Sequence, residues 1–378
     1  MHHLSLIAFV AVLFGIAIIR LYTLFRKING PEKVPGPTLI PYLGRIHDLP
    51  INFMWLKFYE WAKKYSGLNG FYLTEILGTS ILVVTDEAVA EELMVKRAKY
   101  NSDRPAIPSI FDSKSTDGSM EYLPLMGKNQ YWARQRRLTH AYLTEASYSS
   151  YSGLMYHEAK RWLVRLIESP DDFQFSLEDM ASKVMCQLTW DDPDLSEDCV
   201  AHEMEADDVF RGYYLTKGTR ILPLDWAFLR NPTKYPDPDN FRPERWLEPG
   251  WPTYQEPLTQ FPTIKGMTSF GWGQRTCLGQ TLTQDELIVA CGALSWCFNL
   301  KPKKDLATGL DLPVPLDRSN SLLIIKPDPF QMMFEPRSEG RKQQALRLWA
   351  ESEARDQNER FEFAKQATLA FEKLRTET

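Results

Sequence analysis

The distribution of apolar and polar positions divides the chain into unlike parts. Leu4 to Ile19 carries no charge, and after Arg20 the apolar character resumes to Phe25 before Arg26 and Lys27 end it. A run of that length spans a bilayer as a helix, with Arg20 reaching the interface. Positive residues follow the span, which places the remainder on the cytosolic side of a single-pass anchor. Pro31, Pro35, Pro37 and Pro41 then interrupt any helix and predict an extended hinge.

Beyond the hinge, helical spacing of apolar residues predicts helices over Phe53 to Tyr65, Asp86 to Lys99, Tyr131 to Leu143, Ser152 to Glu168 and Leu177 to Leu188. Phe71 to Ile76 and Ile81 to Thr85 read as a β-hairpin around Leu77-Gly-Thr-Ser. From Ala206 the pattern shortens: an extended piece over Phe210 to Tyr214, a turn at Lys217-Gly218, a strand over Arg220 to Pro223, and a Pro-rich irregular stretch from Asn231 to Pro252. A strongly apolar helix runs from Gly279 to about Phe298, and the tail from Gly340 to Thr378 is a charged, solvated helix with Glu351/Arg355 and Asp356/Arg360 at i,i+4. The fold class is mainly α with small β-sheets.

Composition narrows the function. With 378 residues, 44% hydrophobic and 25% charged, the chain is neither a disordered tail nor a low-complexity array. A net charge of −5 provides no basic field for phosphate backbones, so no nucleic-acid partner is expected. Five cysteines without framework spacing fit a reducing compartment, and the isolated Cys199/His202 pair does not make a zinc site.

The string with most chemical content is Phe270-Gly-Trp-Gly-Gln-Arg275-Thr-Cys277-Leu-Gly279. Gly273 and Gly279 permit close backbone approach and positive φ. The start of the following helix stabilises a sulfur anion at Cys277, Arg275 is suited to a carboxylate, and Phe270 is suited to screening the sulfur from water. Trp132 and Arg136, i,i+4 on one helix, share a face on which an indole N–H and a guanidinium can converge.

These residues resemble the cytochrome P-450 superfamily, whose haem loop is Phe-x-x-Gly-x-Arg-x-Cys-x-Gly; the fixed positions are met at 270, 273, 275, 277 and 279. Trp132-Ala-Arg-Gln-Arg136 is similar to the family's Trp-x-x-x-Arg, and Phe241-Arg-Pro-Glu-Arg245 to its Phe-x-Pro-Glu-Arg segment. The resemblance implies a b-type haem (heme b) with Cys277 as the axial iron ligand and Trp132, Arg136, Phe270, Gly273, Arg275 and Gly279 around it. It also implies a membrane-bound monooxygenase taking electrons from an NADPH-cytochrome P-450 reductase and using molecular oxygen on a small lipophilic substrate. The hinge and the Ser319 to Phe330 segment look like fungal microsomal members of secondary metabolism, hence an endoplasmic reticulum location.

The family pattern is not complete. No Ala/Gly-Gly-x-Asp/Glu-Thr string of the distal helix occurs, and the two Glu-x-x-Arg strings, Glu158/Arg161 and Glu372/Arg375, are misplaced and read as chance surface pairs. Arg245 then lacks the carboxylate and arginine it pairs with in the family, and a buried unpaired guanidinium is costly. The implied organisation is an anchor at 1–27, a hinge at 28–50, a first part at 51–190, a deletion junction at 191–204, a haem-loop part at 205–339 and the tail at 340–378, an incomplete cytochrome P-450-like fold behind a transmembrane helix. The alternative function is a catalytically inactive, membrane-anchored remnant.

Overall fold

The computed structural model describes residues 33–105, 123, 126–148, 151–190, 202–314 and 327–355. The expected anchor and residues 191–201 of the expected junction lie outside them, as do Glu372/Arg375. No helix among the described residues is long and apolar enough to cross a membrane.

Helix α1 (Met54–Tyr65) leads to strands β1 (Phe71–Ile76) and β2 (Thr79–Val84), paired antiparallel through a Leu77-Gly78 turn. Both turn residues have positive φ (47° and 78°), the twist a two-residue hairpin loop requires. Strand β2 pairs parallel with a strand far along the chain, β6 (Arg220–Pro223), and β3 (His202–Glu203) closes the order β1-β2-β6-β3. Both faces are buried. Phe71, Leu82, Val84 and Ile221 pack under α2 (Glu87–Glu91), while Tyr72 and Val83 pack under Phe58 and Trp61 of α1. Asp86 caps α2 by accepting from the Val89 N–H at 3.1 Å. The expected helix over Asp86 to Lys99 continues past α2 only as a π-helical turn, Glu92–Lys96.

The expected hinge is not a free spacer. The Leu73 N–H donates to Pro35 O at 2.8 Å, the Arg45 N–H to Glu75 O at 2.7 Å, and Gly44 bridges Ile76. A Cβ on Gly36 would stand 2.0 Å from Leu73 O, and one on Gly44 1.9 Å from Glu75 O. Residues 35–45 therefore cover the edge of β1, which would otherwise offer unpaired backbone groups.

A second layer is helical: α3 (Gln130–Tyr148), α4 (Ser152–Glu168), α5 (Phe173–Trp190) and α8 (Gln280–Cys297), the last continuing into β7 (Phe298–Pro302), which pairs with β8 (Met332–Pro336). Leu163, Leu166, Phe173, Ala290 and Phe298 form its core. The extended piece expected over Phe210 to Tyr214 is instead a hairpin, β4 (Asp208–Phe210) and β5 (Tyr213–Leu215), because Arg211-Gly212 adopts positive φ and turns the chain. Two short helices follow, α6 (Asp225–Phe228) and α7 (Glu244–Leu247).

Two surface assignments are corrected by packing. Glu158 is buried and ion-paired with Arg161 at 2.6 Å, and Arg161 reaches Asp179 of α5 at 3.1 Å, so this Glu-x-x-Arg pair belongs to the α4–α5 interface. The described part of the tail, helix α9 (residues 339–355), is docked along one face rather than solvated, while residues 356–378, with Asp356/Arg360, lie outside the described residues. Ala345 is buried, Arg341 donates to Trp296 O at 2.6 Å, the Trp349 ring lies 5.0 Å from that of His157, and Ser352 meets His157 Nδ1 at 3.0 Å.

Arg245 is buried, and its guanidinium is filled by backbone carbonyls of its own irregular stretch. Nε and Nη2 donate to Pro236 O at 2.9 and 2.8 Å, Nη1 donates to Asn240 O at 3.1 Å, and Nη2 also meets Asp237 O. The expected cost of an unpaired cation is thus offset locally. Glu286 of α8 lacks such relief: Oε1 is buried without a hydrogen-bond partner among the described residues, and desolvation pushes the carboxyl up to about 7.

Two predictions follow from these buried groups. Arg245→Ala strands three carbonyls and lowers stability by about 2–4 kcal/mol in urea unfolding. Because Glu286 has a folded pKa above its unfolded one, its ionised form is penalised increasingly as pH rises from about 4.5 to about 7. Glu286→Gln accordingly stabilises by about 1–3 kcal/mol at pH 8 and by little at pH 4, measured as the shift in urea midpoint.

Candidate haem-binding site

The cysteine loop is two 3-10 turns, Thr268–Phe270 and Gly273–Arg275, closed on itself where the Cys277 N–H donates to Phe270 O at 2.7 Å. Gly271 (φ 78°) reverses the chain between them, a role the sequence reading did not assign. Gly273 has φ 55°, and a Cβ there would stand 2.0 Å from Met94 O. Its lack of a side chain therefore lets the loop press on the π-helical turn after α2. Gly279 differs from its expected role: φ is −83° at the N-cap of α8, and its missing Cβ would lie 3.8 Å from Cys277 Sγ. The sulfur thus sits beside a helix N-terminus, where a thiolate is favoured. Cys277 is exposed and in no disulfide, and Phe270, half-buried, leaves the cysteine accessible.

Helix α3 meets the loop from the side. Asn129 Oδ1 accepts from the Trp132 N–H at 2.9 Å and caps the helix, fixing where Trp132 and Arg136 emerge. Trp132 is buried with its ring under the Arg275 guanidinium, 4.2 Å from Cζ, and Arg136 Nη2 donates to Thr276 O. Trp132 and Arg136 thus share one face of α3, and the fold brings Arg275 against it. A cleft of about 540 Å³ opens there, lined by Trp132, Ala133, Arg136, Arg137, His140 and Leu278.

The electrostatics define what the site needs. Arg275 is buried; its Nε donates to Ser102 O at 2.7 Å, but Nη1 and Nη2 have no hydrogen-bond partner among the described residues. Desolvation, then the charge of Arg104, then that of Arg136, outweigh Asp103 and Glu205 and pull the guanidinium down to about 9. Desolvation also lowers Arg136, opposed by the Cys277 sulfur. The nearby carboxylates are committed elsewhere: Asp103 accepts from the Arg104 and Lys128 N–H groups at 2.9 and 2.6 Å, and Glu205 pairs with Lys128 Nζ at 2.9 Å. Two buried fork donors, repelled by neighbouring arginines, fit a carboxylate-bearing ligand. The carboxylates of a haem would suit these donors, and Cys277 lies near enough in sequence and space to be its ligand. The contribution of Arg104 was not foreseen; it comes from a segment without helical or strand pattern, and only the fold brings it to the loop.

The family model described as cytochrome P-450 matches residues 34–191 and 196–332. Among curated proteins, the chain is 37% identical over 106 residues to cytochrome P-450 monooxygenase psoD of Aspergillus fumigatus, covering 28% of this chain and 20% of that protein. It is 27% identical over 255 residues to cytochrome P-450 monooxygenase 69 of Postia placenta, covering 59% and 43%. With the tryptamine 4-monooxygenase of Psilocybe cyanescens it shares 32% identity over 143 residues, 37% of this chain and 26% of that protein. The chain thus spans less than half the length of each of these relatives. The cysteine loop, the arginines that face it and a family match over most of the sequence lead to one conclusion: the chain belongs to the cytochrome P-450 family.

Proposed function

We propose that this chain is a haem-thiolate monooxygenase that inserts one oxygen atom into a small lipophilic molecule of secondary metabolism. It is held at the endoplasmic reticulum membrane by residues 1–27, with the catalytic part in the cytosol and an NADPH-cytochrome P-450 reductase as electron donor. The observation that carries this reading is Cys277, exposed just before α8, close to an arginine whose two terminal nitrogens are buried and without a hydrogen-bond partner among the described residues. The monooxygenase names of the relatives and the apolar, then basic, N-terminal sequence support it. The two stretches of the family match separate at residues 192–195, within the 191–204 interval read as a deletion.

A bound haem supplies oxygen activation, and thiolate donation favours O–O cleavage. The chain's own residues prepare for it. Cys277 provides the sulfur, which lies beside the α8 N-terminus and faces the Arg136 charge. Arg275, Arg136 and Trp132 hold and orient carboxylates. Gly273 against Met94 and the Arg275 bond to Ser102 keep the loop from retreating when the ligand binds. Of the segments that the family resemblance places along a substrate pocket, Arg104 to Met126 and Asp317 to Leu323, residues 106–122, 124–125 and 317–323 lie outside the described residues.

The spectrum of the reduced protein under carbon monoxide tests the reading. A red-shifted Soret band is expected, and Cys277→Ala abolishes it; a spectrum indifferent to that substitution, or no haem uptake, supports the inactive remnant instead. Arg275→Met lowers haem affinity about 10- to 100-fold in a titration of the haem-free chain, and leaves that chain's stability within about 1 kcal/mol, since a desolvated cation is removed together with one hydrogen bond.

A further inference from the structure

The cysteine loop has an anchor that no family motif accounts for. Asp225 opens α6 directly after β6, where the Leu224 N–H donates to Val84 O at 2.8 Å and ties this point to the sheet. Both oxygens of its carboxylate are taken by consecutive hydroxyls of the loop: Thr268 Oγ1 donates to Oδ1, and Ser269 Oγ donates to Oδ2 at 2.7 Å. Thr268 is buried, so this bond is sheltered from water. The next residue, Phe270, presents the carbonyl that accepts the Cys277 N–H. Three residues further along α6, Phe228 meets Trp272 of the same loop edge-on at 5.9 Å. One face of a four-residue helix thus grips the loop at 268–269 and at 272.

We propose that Asp225 is the positioning residue of the cysteine loop: through Thr268 and Ser269 it sets the Phe270 carbonyl, and through that carbonyl the backbone of Cys277. A charged acceptor serving two hydroxyls is stronger than two neutral bonds, and its rigid seat on the sheet transmits the sheet's position to the sulfur. The role rests on the assignment of Cys277 as the haem ligand, but its geometry exists without haem and is testable there.

The test is hydrogen–deuterium exchange of the full haem-free chain, followed in peptides covering Thr268 to Gly279 and, for reference, Ser152 to Glu168 of α4. Asp225→Ala is expected to speed exchange of the Cys277 amide by about tenfold while α4 is unchanged. The double variant Thr268→Val/Ser269→Ala reaches the same contact from the loop side and gives the same increase, and combining it with Asp225→Ala adds nothing further. Asp225→Asn, which keeps one acceptor, falls between. Unchanged loop exchange, additive effects, or equal loosening of α4 overturns the proposal. In haem-loaded protein, Asp225→Ala broadens the carbon monoxide Soret band without removing it, whereas failure of the monooxygenase reading leaves that band absent in the parent chain and the exchange result intact.

Discussion

The parallel pairing of β2 with β6 is the contact on which the rest of the molecule depends. It joins Ile81–Val84 to Arg220–Pro223, and so unites the two halves of a chain interrupted between residues 191 and 201 by sequence the structure does not describe. Parallel neighbours require a long crossover and burial on both faces. Here α1 and α2 provide the cover, with Phe58, Trp61, Val89 and Leu93 closing on the strands. From that sheet the cysteine loop is reached by two routes: forward through α6 to Thr268, and sideways through the π-helical turn to Gly273.

Buried arginine is handled in two opposite ways. Arg245 is surrounded by carbonyls of Pro236, Asp237 and Asn240, so the chain itself satisfies the guanidinium and the irregular stretch becomes rigid around it. Arg275 receives one carbonyl, from Ser102, and its two terminal nitrogens have no hydrogen-bond partner among the described residues. Retaining unsatisfied donors beside Arg104 and Arg136 costs stability, and a ligand that brings carboxylates recovers it. The contrast distinguishes a guanidinium the chain satisfies itself from one that it does not, among the described residues.

The helical layer carries a related tension. From Leu287 onward helix α8 is apolar around most of its circumference, a composition that calls for burial on several sides. Its inner face packs on α4 through Ala290 and Val289, yet Leu287, Ile288 and Cys291 are exposed. This asymmetry accords with the short coverage of the relatives, and the docked face of α9 meets Trp296 at the end of α8 and His157 of α4 rather than these exposed residues.

The sequence alone determined the elements whose information is local. The Leu77-Gly78 turn between alternating strands, the apolar run of α8 and the spacing of Phe270, Gly273, Arg275, Cys277 and Gly279 all lie within short windows, so turn chemistry and periodicity reveal them. Trp132 and Arg136 were legible for the same reason, four residues apart on one helix. What required tertiary structure is everything set by contacts distant in sequence. The partner of Gly273 is Met94, the bonds filling Arg245 come from carbonyls no side-chain motif encodes, Glu158 is buried because α5 covers it, and the hinge is fixed because β1 has a free edge. Asp225 reaches the loop because the sheet holds the start of α6 there, and Arg104 because the chain after the π-helical turn passes Arg275. Backbone carbonyls and burial leave no signature in the residue that meets them, and for that reason the site's chemistry was readable along the chain while its support was decided in space.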